Sequence, residues 1–177
     1  MKKVCFILTF MSILFSCSDK SQGKLYLVDY VDRLVRQYPN YSSNDIANKA
    51  LQDSIRMHAE SFVGNHPKDI EGLEFTFSDL VEKEGEYGAL FIAHCYSDIN
   101  DESGARKYIT SDVVVSVFGV VDKATAAKLD KNRKYYIGGV LEEWDSEQYT
   151  SKTYMSDEIC FGTYFLRDIK IETIKQK

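Results

Sequence analysis

The spacing of apolar residues changes once along the chain, near Gly64, and this change constrains the fold more than any other feature. Before it, apolar residues recur at helical spacing. We expect one helix that ends before Pro39, and a second that begins at a cap of Ser42 or Ser43 and ends near Val63. After Gly64, apolar and polar residues alternate with the period of a half-buried strand. The chain is therefore predicted to be two helices followed by a mainly β unit.

Five strands are expected in the second part, with one short helix between the third and the fourth strand. The helix is predicted from the alanine-rich run at 123–129. The strands are predicted at 73–77, 87–96, 113–121, 135–141 and 161–171, with polar loops at 97–111 and 144–159. The order of elements is then helix, helix, three strands, helix and two strands.

Three strands, a helix and two more strands is the order of the OB fold, a five-stranded Greek-key barrel. The run Tyr136-Ile137-Gly138-Gly139-Val140 resembles the glycine-kinked fourth strand of the exported, tRNA-anticodon-like OB family, and residues 166–171 are similar to its closing strand. The first strand departs from that family because it contains no glycine. The resemblance implies a mainly β (α+β) fold, a five-stranded OB-type barrel preceded by two N-terminal helices. A cystatin-like or nuclear-transport-factor-like sheet is the alternative.

The N-terminus has the parts of a bacterial export signal: the basic start Met1-Lys2-Lys3, an apolar run, and the small residue Ser16. The apolar run is shorter than the roughly 20 residues that a membrane-spanning helix needs. The motif Leu14-Phe15-Ser16-Cys17 resembles the lipobox of bacterial lipoproteins, although Phe15 is bulkier than the usual residue there. The resemblance implies cleavage before Cys17 and a diacylglyceryl group on its sulfur.

This resemblance also implies a domain organisation and a location. Residues 1–16 are expected to be the signal peptide, 17–24 a tether, 25–63 a helical segment, and 64–177 an OB-like barrel that forms one globular domain with the helices. The residues left after cleavage suffice for one domain. Ser18 directly after the lipidated cysteine implies transfer to the outer membrane, facing the periplasm, with display at the cell surface as the alternative.

The charge of the chain limits the classes of partner that it is expected to bind. The formal net charge is -5, and loss of the two signal lysines makes it more negative. Nucleic-acid binders need a basic face that releases counterions, so we expect no nucleic-acid partner. The membrane is expected to be a partner only through the lipid on Cys17. We expect an envelope protein as the binding partner, with a small ligand or an oligosaccharide as the alternative.

Aromatic residues near the rim of the predicted barrel are the candidate ligand-binding residues. OB barrels bind ligands on the exposed face of strands two and three and at the first-to-second and fourth-to-fifth loops. Aromatic rings can stack on sugars or anchor a protein partner. The candidates are Trp144, Tyr149 and Tyr154 in the fourth-to-fifth loop, and Tyr96 and Tyr108 beside the second-to-third loop. Each of these rings could equally be ordinary core at the barrel end.

No pattern in the sequence favours catalysis or metal binding. The three histidines are dispersed, and neither a nucleophile elbow nor a phosphate-binding glycine loop occurs. We therefore expect a binding module that is not an enzyme and has no metal and no cofactor. Cys95 and Cys160 are left once the signal and the lipid are accounted for, and their spacing leaves open whether they form a disulfide.

Overall fold

The structure is a computed structural model that describes residues 25–96, 112–146 and 159–175. Within these ranges the chain begins with two helices, α1 (Tyr26–Gln37) and α2 (Asp45–Glu60), followed by a 3-10 turn at Lys68–Ile70. The remaining elements are β1 (Phe75–Lys83), β2 (Glu86–Tyr96), β3 (Asp112–Val121), α3 (Lys123–Ala126), β4 (Lys134–Asp145) and β5 (Ile159–Thr173). The predicted order of elements is confirmed, and the protein is mainly β.

The second helix begins later than predicted, because its cap is Asn44 and not Ser42 or Ser43. The Asn44 side-chain oxygen accepts hydrogen bonds from the backbone N–H groups of Ile46 at 2.9 Å and Ala47 at 3.2 Å. These are two of the donors that a helix start leaves without an intrahelical partner. The helix ends at Glu60 and thus before the predicted end near Val63.

The strands form one sheet that closes into a ring in the order β1-β2-β3-β5-β4. Neighbouring strands are antiparallel, except that β3 and β5 are parallel. The closure between β1 and β4 consists of two residue pairs, Phe75 with Tyr135 and Thr76 with Lys134. From Phe77 onwards, β1 therefore pairs with β2 on one side and with no described strand on the other side.

The interior of the ring and the inner faces of the two long helices share one hydrophobic core. Burial of each large apolar side chain contributes about 1.5–3 kcal/mol. The largest fully buried side chains come from both parts, with Phe75, Phe91, Tyr135, Phe161 and Tyr164 in the strands and Leu27, Leu51 and Ile55 in the helices. Packing thus joins the helices to the ring as one unit.

Strand β4 continues beyond its predicted end at Leu141. Residues 143–145 pair with residues 163–165 of β5, so Trp144 belongs to the sheet and not to the loop in which we predicted it. The alternation that revealed the strand breaks at Glu142 and Glu143, which are both exposed. Because of this break, the apolar pattern alone predicts the end of the strand too early in the sequence.

Candidate functional site

A groove lies on the outer surface of the ring, where β1, β2 and β3 run side by side. The turn Glu84-Gly85 joins β1 to β2, and both of its residues have positive φ, 54° and 87°, as a two-residue type I′ turn requires. The groove has a volume of about 450 Å³ and is lined by Val81, Lys83, Glu84, Glu86, Gly88, Phe118 and Val120. It occupies the face of strands two and three and the first-to-second turn.

The groove exposes apolar side chains that the core does not use. Val81 is 52% exposed and Val120 is 55% exposed, and the ring of Phe118 is half-buried. Neighbours of Val120 in the same strand, such as Val117 and Val121, point inwards and belong to the core. A contiguous exposed apolar surface with a polar rim is typical of an interaction site.

Gly88 forms the floor of the groove beneath Phe118. A Cβ atom on Gly88 would overlap Cζ of Phe118, so the ring lies directly against the glycine backbone. The same ring meets Phe165 of β5 at a centroid distance of 5.7 Å. A glycine inside a strand often marks a site where another group approaches closely. Here the glycine sets the position of the aromatic ring and thereby the shape of the groove.

The charged side chains at the groove are mostly acidic. Glu84 and Glu86 are exposed at its rim, and Lys83 is the one basic residue among the seven lining residues. Carboxylates at a rim attract basic groups and repel phosphate backbones. The electrostatics of the groove therefore favour a partner that carries basic side chains.

Trp144 is the predicted ligand residue whose side chain the structure describes. Its Nε1–H donates a hydrogen bond to the carbonyl oxygen of Phe161 at 2.8 Å. Its ring is half-buried, packs against the core, and would lie 3.0 Å from a Cβ atom on Gly162. The polar group of the indole is thus used inside the fold, and a role of Trp144 in ligand binding stays a prediction.

The other predicted site residues lie outside the part of the chain whose side chains the structure describes. Cys17, Tyr108, Tyr149 and Tyr154 lie outside the described residues, and Tyr96 is described only as the last residue of β2. Their roles stay predictions. The pattern did not single out the residues that line the groove, although the isolated Gly88 inside an apolar strand was a signal of close approach.

A second group of polar side chains lies between the helices and the ring. Asp69 is fully buried, and its Oδ2 accepts a hydrogen bond from the Tyr164 hydroxyl at 2.6 Å. Its Oδ1 lies 2.9 Å from Nε2 of His58. Because a carboxylate only accepts, the proton of this bond belongs to Nε2. Together with Tyr30, which stacks on His58, these residues are called the helix–ring cluster.

Tyr30 completes the helix–ring cluster from α1. Its ring lies 3.7 Å from the His58 ring between centroids, and its hydroxyl donates to the carbonyl oxygen of Ser54 at 3.1 Å. Burial raises the pKa of Tyr30 to about 12, and the carboxylate of Asp69 adds to this rise. Burial and Asp69 also raise the pKa of Tyr164 well above its ordinary value. Both phenols remain protonated donors at neutral pH, so the cluster fixes α1 and α2 to β5.

The sequence did not predict the helix–ring cluster. His58, Asp69 and Tyr164 lie 11 and 95 positions apart, measured from Asp69, and no local spacing relates them. Asp69 follows Pro67 and Lys68 in a short polar stretch that reads as a surface turn. Its complete burial depends on partners that only the folded chain supplies.

The described residues also bear on metal binding, disulfide formation and membrane crossing. Within the described ranges, no group of three or more histidine, cysteine or acidic side chains is arranged to hold a metal ion. Cys95 and Cys160 are not joined by a disulfide, which answers the question that their spacing left open. None of the described helices combines the length and the apolar character needed to cross a membrane.

No protein-family model matches this chain, and no curated protein or solved structure is significantly similar to it.

Proposed function

We propose that the chain is a lipoprotein, anchored through Cys17, whose ring is an OB-type barrel that binds another protein of the cell envelope. The ring order β1-β2-β3-β5-β4, with β3 and β5 parallel, supports the OB assignment. So does the position of α3 between β3 and β4. The alternative, an open cystatin-like sheet, would leave its edge strands without the β1–β4 pairing seen here.

The observation that carries the binding proposal is the exposed apolar groove. Val81 and Val120 are each more than half exposed, and apolar surface that faces water gains free energy when a partner covers it. The groove lies on the face that OB barrels use for their ligands. It is therefore the surface on which we place the partner.

The partner is proposed to be a protein because of the charges at the rim. Glu84 and Glu86 repel phosphates, whereas they can pair with lysine or arginine side chains. The acidic net charge of the whole chain likewise disfavours the binding of nucleic acid. The seven lining residues include no serine, threonine, cysteine or histidine, the side chains that most often act as nucleophile and base, and this favours binding over catalysis.

A lipid on Cys17 would increase the effect of a weak binding site. Two proteins held near one membrane meet at a higher effective concentration than they do in solution. The lipobox resemblance of residues 14–17 thus supports the same role as the groove. The two features together describe a binding module that acts at a membrane surface.

In-cell photo-crosslinking tests this proposal. A photoreactive amino acid at position 120 of the full-length protein should crosslink to one envelope protein, because this side chain faces the groove. The adduct should decrease strongly in a Cys17→Ala form, which has no lipid anchor. The matched control carries the same photoreactive residue at Ile46 of α2, which is 83% exposed and apolar but lies outside the groove.

The control position decides how the adducts are interpreted. Recovery of one protein from position 120 and not from position 46 would support the groove as the binding surface. Equal adducts from both positions, or none from position 120, would contradict the proposal.

A small ligand is the second candidate because of the size of the groove. Its volume of about 450 Å³ lies within the range of known small-molecule sites, roughly 300–1,000 Å³. An oligosaccharide panel can be tested on the detergent-solubilised full-length protein. Binding that a Val120→Asp variant loses, together with no crosslinked protein in cells, would favour this candidate.

A further inference from the structure

The second half of β1 has one edge that no described strand covers. Pairing with β4 ends at Thr76, because β4 begins at Lys134, its partner. Residues 79–83 pair with β2 on one side. Among the described residues, no backbone hydrogen bond outside this ladder involves them. Val81, Glu82 and Lys83 are exposed to solvent.

The turn determines which backbone groups point outwards from this edge. Lys83 and Glu86 flank a two-residue turn, so they form a hydrogen-bonded pair, and the pairs along the ladder then alternate. Leu80 and Glu82 therefore occupy the positions whose N–H and C=O groups point away from β2. The hydrogen bond from the Leu80 N–H to its neighbour's carboxylate, Asp79 Oδ1, at 2.9 Å agrees with this orientation.

Side chains along the edge also alternate. Val81 and Lys83 lie on the outer face and line the groove, whereas Leu80 packs against the core. A strand added beside β1 would lie about 4.8 Å away. Its outward side chains would then extend the apolar surface of Val81 and Val120.

Charge indicates the composition of such a strand. Residues 79–86 carry the carboxylates of Asp79, Glu82, Glu84 and Glu86 against the single ammonium group of Lys83. Like charges opposed across strands are destabilising and opposite charges are stabilising. A basic segment would therefore be favoured at this edge, and an acidic segment would be repelled.

We infer that the partner adds an extended segment of alternating apolar and basic side chains to the β1 edge at residues 79–83. This inference rests on the proposed function and specifies how the partner binds. The backbone of Glu82 and the carbonyl of Leu80 supply hydrogen bonds, and the groove receives the apolar side chains. The basic side chains then lie on the opposite face of the segment, where Glu82 can pair with them. Strand addition of this kind is a common mode of peptide recognition.

The test uses the full-length protein in detergent and a short, fluorescently labelled peptide of alternating valine and lysine. A Glu82→Pro variant removes the outward N–H but no ladder bond to β2, because that N–H points away from β2. A Glu82→Ala variant is the matched control, since it removes the same charge and keeps the N–H. As a check that needs no protein variant, a second peptide carries N-methyl groups on alternate backbone nitrogens.

We expect affinity for the peptide to decrease about tenfold with Glu82→Pro or with the methylated peptide, and about twofold with Glu82→Ala. Hydrogen exchange at the Glu82 amide should slow about tenfold when the unmodified peptide binds, because the amide gains a partner. A Glu82 amide that exchanges equally fast with and without bound peptide would contradict strand addition.

The crosslinking at position 120 separates failure of this inference from failure of the proposed function. If the envelope protein crosslinks equally well to the Glu82→Pro form, the partner covers the groove without adding a strand, and this inference is overturned while the proposed function stands. If position 120 yields no adduct in the wild-type protein, the proposed function is overturned as well.

Discussion

The helix–ring cluster and the groove use side chains in opposite ways. In the cluster, the carboxylate of Asp69 is fully buried, and each of its oxygens has a hydrogen-bond partner. In the groove, Val81 and Val120 are apolar and more than half exposed. In the cluster, polar groups are removed from water, and hydrogen bonds within the protein replace their hydrogen bonds to water. In the groove, apolar surface is left in water, where a partner can cover it. Stability should therefore depend on the cluster and binding on the groove.

The largest expected effect is on stability, from Asp69→Ala. Loss of the buried carboxylate leaves the His58 Nε2–H and the Tyr164 hydroxyl without their shared acceptor, and each buried donor left unsatisfied costs about 1–3 kcal/mol. Urea denaturation should show this decrease in the free energy of unfolding. The control Asp53→Ala removes an exposed carboxylate that pairs with Arg56 and should cost at most about 0.5 kcal/mol. Equal losses in the two variants would contradict the structural role of the cluster.

Gly88→Ala should have its main effect on binding. The new methyl group overlaps the Phe118 ring, which must move and reshape the groove. We expect crosslinking from position 120 to fall about tenfold, while stability changes by about 1 kcal/mol or less, because the ring can move and the loss of glycine lowers the entropy of the unfolded chain. Gly138→Ala is the control, since its nearest atom is 3.8 Å away. Unchanged crosslinking in the Gly88 variant would mean that the partner does not contact Phe118.

Ser116→Ala should increase stability. The Ser116 hydroxyl is fully buried on the outer face of β3 and has no hydrogen-bond partner within the described part of the chain. Removing an unsatisfied buried hydroxyl should add about 1 kcal/mol to the free energy of unfolding. Ser54→Ala serves as the opposite case, because the Ser54 hydroxyl donates to the Ala50 carbonyl at 2.8 Å, and its loss should destabilise. A loss of stability in both variants would show that the Ser116 hydroxyl is satisfied in solution.

The smallest expected effect is a dependence of stability on alkaline pH. The pKa of Tyr30 is raised from 10.0 to about 12 in the folded protein. Its contribution to stability is therefore complete below pH 10 and is lost as the pH rises through 12. Tyr30→Phe retains the ring but not the titrating group, so urea unfolding should show a weaker decrease for this variant over that range. The control is Tyr136→Phe, at an exposed tyrosine of β4. Its free energy of unfolding should decrease with rising pH as that of the wild type does.

Much of the fold could be predicted because each element has a local signature. The period of apolar residues located both long helices and the five strands. Boundaries were less accurate where a competing cap or an exposed stretch replaced the expected signal. Asn44 capped α2 in place of Ser42 or Ser43, and two exposed glutamates concealed the end of β4.

The sequence analysis named the face on which the groove lies, but it did not name the residues that line the groove. The resemblance to the OB family implied the face of strands two and three, and the groove lies on that face. The individual candidates were aromatic residues, however, and the exposed lining consists of valine and charged side chains. A valine that faces water and one that faces the core are alike in sequence, because exposure depends on which residues pack against each face.

The sequence by itself determined the order of helices and strands, the acidic charge and the lipobox-like motif, because each of these depends on residue types and on neighbours nearby in the chain. Only the tertiary structure decided that β1 and β4 overlap by two residue pairs, that Phe118 lies against Gly88, and that Asp69 meets Tyr164 from 95 positions away. Such contacts join residues that are remote in sequence. They form only when the packing of the whole core selects one register for each strand, and no local pattern records that choice.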